Sequence, residues 1–148
     1  MKKIFSNSWK SSKQPRKQRK YRAKAPLHIK HKMMSANLDK ELRKKYSKKS
    51  FPVKKGDLVK IMRGKFKGKT GKINKVNLRK LKISIEGMQT QKKDGTKINV
   101  YFDPSNVQIK ELDLKDSRRE RKLKSTSQNK TEKIKEKTTG EKNVSKKK

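Results

Sequence analysis

The sequence predicts a mainly β fold, a small barrel of about five antiparallel strands flanked by basic extensions. Three observations predict it. Short runs with apolar residues at every second position recur between residues 58 and 109, as in strands that bury one face. Glycine-bearing or Asp-Pro segments punctuate those runs. And of 148 residues only 27% are hydrophobic while 41% are charged, enough for one small core and no more.

Residues 1–34 read as a basic extended arm. Its stretch "SSKQPRKQRKYRAKAPLHIKHK" contains Pro15 and Pro26 and no apolar periodicity, so it is expected to lack fixed structure in isolation. Residues 35–50 read as a helix packed on the barrel. Leu38, Leu42 and Tyr46 fall at i, i+4 and i+8, and Asp39–Arg43 and Glu41–Lys45 are acid-first i,i+4 pairs. Ser35 or Asn37 is placed to cap the start, and Pro52 stops continuation past Phe51. Such a helix would supply core that so small a barrel lacks.

Residues 51–114 read as the barrel. Val59 and Ile61 mark one strand, and Leu81, Ile83 and Ile85 another. Ile98, Val100 and Phe102 mark a third, Val107 and Ile109 a short last one. Ile73 and Val76 break the period of two, which predicts a bulge in a bent strand. Asp94-Gly95 is a hairpin turn signal, and "DPSN" at 103–106 a tight turn. Strands so short and one-faced cannot form two packed sheets, and closing into a barrel removes their edges. Residues 115–124 then read as a short basic helix that Asp116 can cap, and 125–148 as a Lys/Glu-rich solvated tail.

Charge narrows the partner. The net charge is +35, shared as +16 over residues 1–50, +10 over 51–114 and +9 over 115–148. Self-repulsion on that scale calls for a polyanion. A membrane is disfavoured, because there is no run of about 18 apolar residues and no long amphipathic basic helix. The start, "MKKIFSNSWKSSK", has no apolar segment of a secretory signal, and zero cysteines fit a reducing cytoplasm.

The stretch "RGKFKGKTGK", residues 63–72, comes close to a nucleotide-binding loop. The G-x-x-x-x-G-K-[ST] pattern needs four residues between its glycines, and Gly64 to Gly68-Lys69-Thr70 has three. The following "GKINKVN" is a poor helix start, so no helix N-terminus would face a phosphate. The alternative is a hairpin turn in which Gly64, Gly68 and Gly71 serve backbone geometry, several at positive φ, as do Gly56 and Gly95 at other turns. Turns usually mix both signs of charge. This one carries Arg63, Lys65, Lys67, Lys69 and Lys72, with Phe66 able either to pack beneath the loop or to stack on a base.

These cations head the candidate contacts to nucleic acid, joined by Lys55 before the loop and by Arg79, Lys80 and Lys82 after it. The arm adds Arg16, Lys17, Arg19, Lys20, Arg22 and Lys24, then Lys30 and Lys32. Arg118 and Arg119 extend the set at the C-terminal side. Trp9 and Tyr21, aromatics amid cations, suit stacking on an unpaired base, against the plain alternative that they are simply exposed. His28 and His31 are two histidines without cysteine or nearby acids, an incomplete metal site, and read as solvated or RNA-contacting. No metal or cofactor is implied, and no paired carboxylates or nucleophile–base set points to an enzyme.

The stretch "VKKGDLVKIMRGKFKGKTGKINKVN" (53–77) resembles a KOW motif through Gly56-Asp57, the alternation to Ile61, and then Gly64, Lys67-Gly68 and Gly71. That motif occurs in ribosomal proteins and in transcription elongation factors. The flanks "HIKHKMMSANLDKELRKKYSKKSFPVKKGD", "ISIEGMQTQKKDGTKINVYFDPSNVQI" and "LDLKDSRRERK" resemble, in order and spacing, one family of large-subunit ribosomal proteins. It is the family called L-twenty-four in bacteria and L-twenty-six in eukaryotes, in its archaeal and eukaryotic branch. The likeness spans roughly residues 28–122, and Asn37 departs from it where proline is expected after "SA".

The resemblance implies an SH3-like barrel that binds large-subunit ribosomal RNA, acts early in subunit assembly and lies near the polypeptide exit tunnel. It also implies neighbouring ribosomal proteins as partners and a single copy per ribosome. The strong lysine bias and short tail favour an archaeal source. Two rivals use similar chemistry: a KOW-type elongation factor, for whose further α/β domain 148 residues leave no space, and a cationic RNA chaperone working through its tails alone.

Overall fold

The alternation that predicts the strands also builds them. In a computed structural model, which describes residues 5–123, the chain forms seven strands: β1 (Ser35–Leu38), β2 (Ser50–Pro52), β3 (Leu58–Ile61), β4 (Thr70–Asn77), β5 (Lys82–Gln91), β6 (Lys97–Phe102) and β7 (Val107–Glu111). They form one coiled sheet in the order β2-β1-β7-β3-β4-β5-β6. The five strands expected from residues 51–114 are β3 to β7, each antiparallel to its neighbours in the series β7-β3-β4-β5-β6. β2 and β6 stand at the two ends of the strand order, so the sheet is barrel-like but its hydrogen-bonded ring stays open. The SH3-like, KOW-type architecture is that of the structure.

Two expectations need correction. Residues 35–50 are not one helix. Ser35–Leu38 is strand β1, and the helix, α3, occupies only Lys40–Tyr46. Leu38 sits two residues after Ala36, in a strand alternation, as well as in the helical stripe with Leu42 and Tyr46. β1 pairs with β2 on one side and, in parallel, with β7 on the other, which satisfies its backbone on both edges. Leu38 is wholly buried there, a contribution of about 2 kcal/mol. Asp39, not Ser35 or Asn37, caps α3 by accepting from the Lys40 N–H, and its ion pair is with Lys110 on β7 at 2.6 Å, not with Arg43. Arg43 instead donates through Nε to the carbonyl of Leu38 at 2.6 Å.

The arm is helical as well. A short 3₁₀ turn (Asn7–Ser11) precedes α1 (Pro15–Lys24) and α2 (Leu27–Met33). The prolines that suggested extension are helix starters: Pro15 is the first residue of α1 and Pro26 the N-cap of α2. The intervening Arg, Lys, Gln and Ala all favour helix. The predicted bulge is present in β4, where the register with β5 shifts between Ile73 and Lys75. Leu81 lies outside β5, in the preceding turn at φ 54°. "DPSN" makes a single 3₁₀ turn over Pro104–Asn106.

The core sits between the curled strands, with Val59, Ile61, Ile73, Ile83, Val107 and Ile109 at its centre. Residues 117–123 form the basic helix expected after Asp116, which accepts from the Arg118 N–H at 3.0 Å. That helix returns to the barrel. Leu123 is fully buried, and Arg119 forms a bidentate pair with the wholly buried Asp57, both oxygens at 2.6 Å. Asp57 also accepts from the N–H groups of Lys54 and Asp113, and Arg119 also donates to the carbonyls of Asp113 and Pro52. The guanidinium lies 5.4 Å from the centre of the Phe51 ring. The tail expected over 125–148 falls outside the described residues.

Candidate nucleic-acid interface

The β3–β4 loop, residues 62–69, is a rigid cationic projection. Its backbone folds on itself: the Lys67 N–H donates to Gly64, the Lys69 N–H to Phe66 and the Gly68 N–H to Ile61. Gly64 and Gly68 each stand at φ 87°, a conformation costly to any residue with a Cβ. Gly71 does not share it, which corrects the expectation of a third turn glycine at positive φ. Gly71 lies within β4, and a Cβ there would meet Ile85 Cγ2 at 2.7 Å and the Glu86 carbonyl at 2.9 Å. Its role is close packing.

Phe66 is half-buried under this loop. It meets Phe102 edge-on at 5.9 Å, while the Lys69 ammonium lies 5.6 Å over its face. The ring therefore anchors the loop to the barrel. Arg63, Lys65, Lys67, Lys69 and Lys72 are exposed around it, and none joins an ion pair among the described residues. A concentrated positive surface on a fixed frame is suited to phosphate contacts.

The other candidates sort into distinct environments. On α1, Arg16, Lys17, Arg19, Lys20 and Arg22 are exposed and Lys24 half-buried, giving a helix cationic round most of its circumference with no acid in it. Lys20 lies 5.0 Å over the half-buried ring of Trp9, so that indole has a cation on one face already. On α2, His28, His31 and Lys32 are exposed, and half-buried Lys30 donates to the carbonyl of Ala23. Lys55, Arg79, Lys80 and Arg118 are exposed. Lys82 is bound to Asp103 at 2.8 Å.

Two candidates are corrected outright. Arg119 is buried on Asp57 and serves the fold, since withdrawing it would strand a carboxylate in the core. Tyr21 is buried and packs against Phe5 at 5.2 Å between ring centres, so it is the inner side of the arm and not a free stacking platform. Conversely, sequence reading does not single out Lys75 or Asn74. The structure brings both beside His31 and Lys55 in a cleft between α2, the β2–β3 connection and β4. The broken period at Ile73–Val76 was the signal that could have found them, because a bulge re-aims the side chains it carries.

Acids cluster little with these cations. Four ion pairs join described residues, at Asp39, Asp57, Asp103 and Asp116, and each ties together parts of the chain that are distant in sequence. Among the described residues no three His, Cys, Asp or Glu side chains come together as metal ligands, and no helix is long and apolar enough to cross a membrane.

Residues 12–126 match the model of the family described as ribosomal proteins L26 (eukaryotic) and L24p (archaeal). The chain belongs to that family. Membership makes it a structural constituent of the large ribosomal subunit, acting in translation in the cytoplasm, with ribosomal RNA and ribosomal proteins as its surroundings. The matched span starts ahead of α1 and runs past the helix at 117–123, so it covers the positions of α1, α2, Asp57 and Arg119 as well as the barrel.

Proposed function

We propose that the protein binds folded large-subunit ribosomal RNA, with the β3–β4 loop as a rigid phosphate-contacting platform and α1 as a second, separate cationic surface. The observation that carries this reading is the loop itself. Five cations are held exposed by backbone hydrogen bonds, two glycines at positive φ and a packed phenylalanine, and none is neutralised by an acid among the described residues. With 39 lysines against nine arginines, point-charge contacts to phosphates outnumber planar bidentate readout of bases. Recognition then rests on the shape of the RNA. The role is structural, with no reaction of its own. Early action in subunit assembly and a position near the polypeptide exit tunnel are what the family resemblance implies, and both belong to this proposal.

The test is a titration of the full chain with large-subunit RNA between 50 and 200 mM salt. The expected result is a linear fall of log K with log salt, with preference for folded ribosomal RNA over heparin. Equal affinity for any polyanion would overturn the reading in favour of an unspecific cationic chaperone. For assembly, subunits matured without the protein are expected to stall as particles lacking later-joining proteins.

A further inference from the structure

The β4 bulge builds something regular strands cannot. In an unbroken strand successive side chains point to opposite faces, yet Asn74, Lys75 and Val76 all line one cleft of about 530 Å³. The register explains it. Ile73 pairs with Ile85 and Lys75 with Ser84, so Asn74 is the extra residue. Asn74 and Lys75 are exposed at the bulge, while Val76 packs half-buried against the core, and all three border the cleft.

The chemistry of the cleft is graded. Val53 is buried at its base, and Val76 and Leu78 are half-buried beside it. Lys55, Lys75 and His31 stand exposed at the rim. Lys54, also on the rim, is shared with Asp116 at 3.5 Å. The Asn74 side chain is exposed and its amide makes no hydrogen bond to any described residue. The volume falls in the range of small-molecule clefts, roughly 300–1,000 Å³.

We propose that this cleft receives a single unpaired nucleotide of the bound RNA. Its base lies on Val76 and Leu78 above the buried Val53, its edge meets the Asn74 amide, and its flanking phosphates meet Lys55 and Lys75. Charge complementarity names the occupant: an apolar floor ringed by cations fits a flat base carried on a phosphodiester and fits an apolar peptide poorly. The amide selects further. It offers one donor and one acceptor, which adenine complements through N6 and N7, whereas guanine presents two acceptors at O6 and N7. Splayed-out bases are how proteins read RNA sequence, so this cleft discriminates bases and not only shape. The inference rests on the RNA-binding reading above.

The test compares three RNA hairpins of equal length: fully paired, with one bulged adenosine, and with one bulged guanosine. The full chain is expected to prefer the bulged adenosine about ten-fold over the paired stem, and guanosine is expected to gain far less. Asn74→Ala and Leu78→Ala should erase the preference while leaving binding to the paired stem in place. Lys92→Ala with Lys93→Ala, at the distant hairpin turn, should weaken all three equally and keep it. Adenosine monophosphate, followed by amide NMR shifts, should act on residues 53–55 and 74–78, with inorganic phosphate alone spreading its effect over the lysines. Equal binding of all three hairpins, or a preference unchanged in Asn74→Ala, would overturn the nucleotide cleft and leave the RNA-binding reading standing. Failure to bind any hairpin or large-subunit RNA would overturn both.

Discussion

Arg118 and Arg119 are adjacent in the chain and live in different media. Arg118 is exposed at the start of the last helix, while Arg119 is enclosed by Asp57, two backbone carbonyls and the Phe51 ring. The same contrast holds between regions. Around Asp57 every charge and polar group has a partner, and the result is a connection between the barrel and its C-terminal helix. In the β3–β4 loop the cations have no acid partners among the described residues, and the glycines and Phe66 serve to hold them apart from the core. One region turns charge into cohesion. The other withholds it from the fold so that it stays available to a polyanion.

The largest effect expected from breaking this contrast is at the buried pair. Asp57→Ala leaves the Arg119 guanidinium without its counter-charge and should destabilise the domain by about 3–5 kcal/mol, read as a shift of the urea midpoint. Replacing Arg63, Lys65, Lys67 and Lys69 together by Gln should do the opposite kind of damage. Folding should hold or improve as repulsion is relieved, while the slope of log K for RNA against log salt falls by about three. A loop variant that unfolds, or an Asp57 variant that melts normally, would dissolve the distinction.

Glycine separates the regions on a finer scale. Gly71→Ala forces a Cβ against Ile85 and the Glu86 backbone and should cost about 1–3 kcal/mol. Gly64→Ala meets open space and strains only its own φ, for about 1 kcal/mol. Thermal melts of the two variants check the order.

The smallest effect concerns pH. The hydrogen bond from Lys110, and next that from the Lys40 N–H, hold the Asp39 carboxyl below its ordinary value of 3.8. The N–H of Arg118 does the same for Asp116. Carboxyls lowered in the folded state contribute stability that is complete above 3.8 and is lost as pH falls below it. Stability should therefore change little from pH 7 to 5 and decline on further acidification. Lys110→Ala should shrink that decline, measurable from urea midpoints at pH 5 and 3.

The barrel strands were legible because Val59/Ile61, Ile83/Ile85 and Val107/Ile109 alternate and turn signals separate them. Even the bulge showed as a broken period. Leu38 was misread because one apolar residue can belong to two periodicities, and only its distant partner on β7, some 70 positions away, decides between them. α1 and α2 lacked any apolar stripe to announce them, since Tyr21 and Ala25 are the only buried side chains along their length or between them. At the interface, the loop cations could be read directly from composition and spacing. Arg119 could not: within "RRERK" nothing local marks the one residue that turns inward. Lys75 and Asn74 escaped for a related reason, because a bulge changes direction without changing composition.

The Asp57–Arg119 pair spans 62 positions. At ribosomal speeds of about 5–20 residues per second, its second half is made roughly 3–12 seconds after its first. Throughout that interval Asp57 is without the guanidinium that answers its charge in the folded domain. β3 likewise waits for β7 to cover its open edge. Completion of the domain is thereby deferred until its C-terminal helix is made, well after the cationic loop at residues 62–69 has been synthesised.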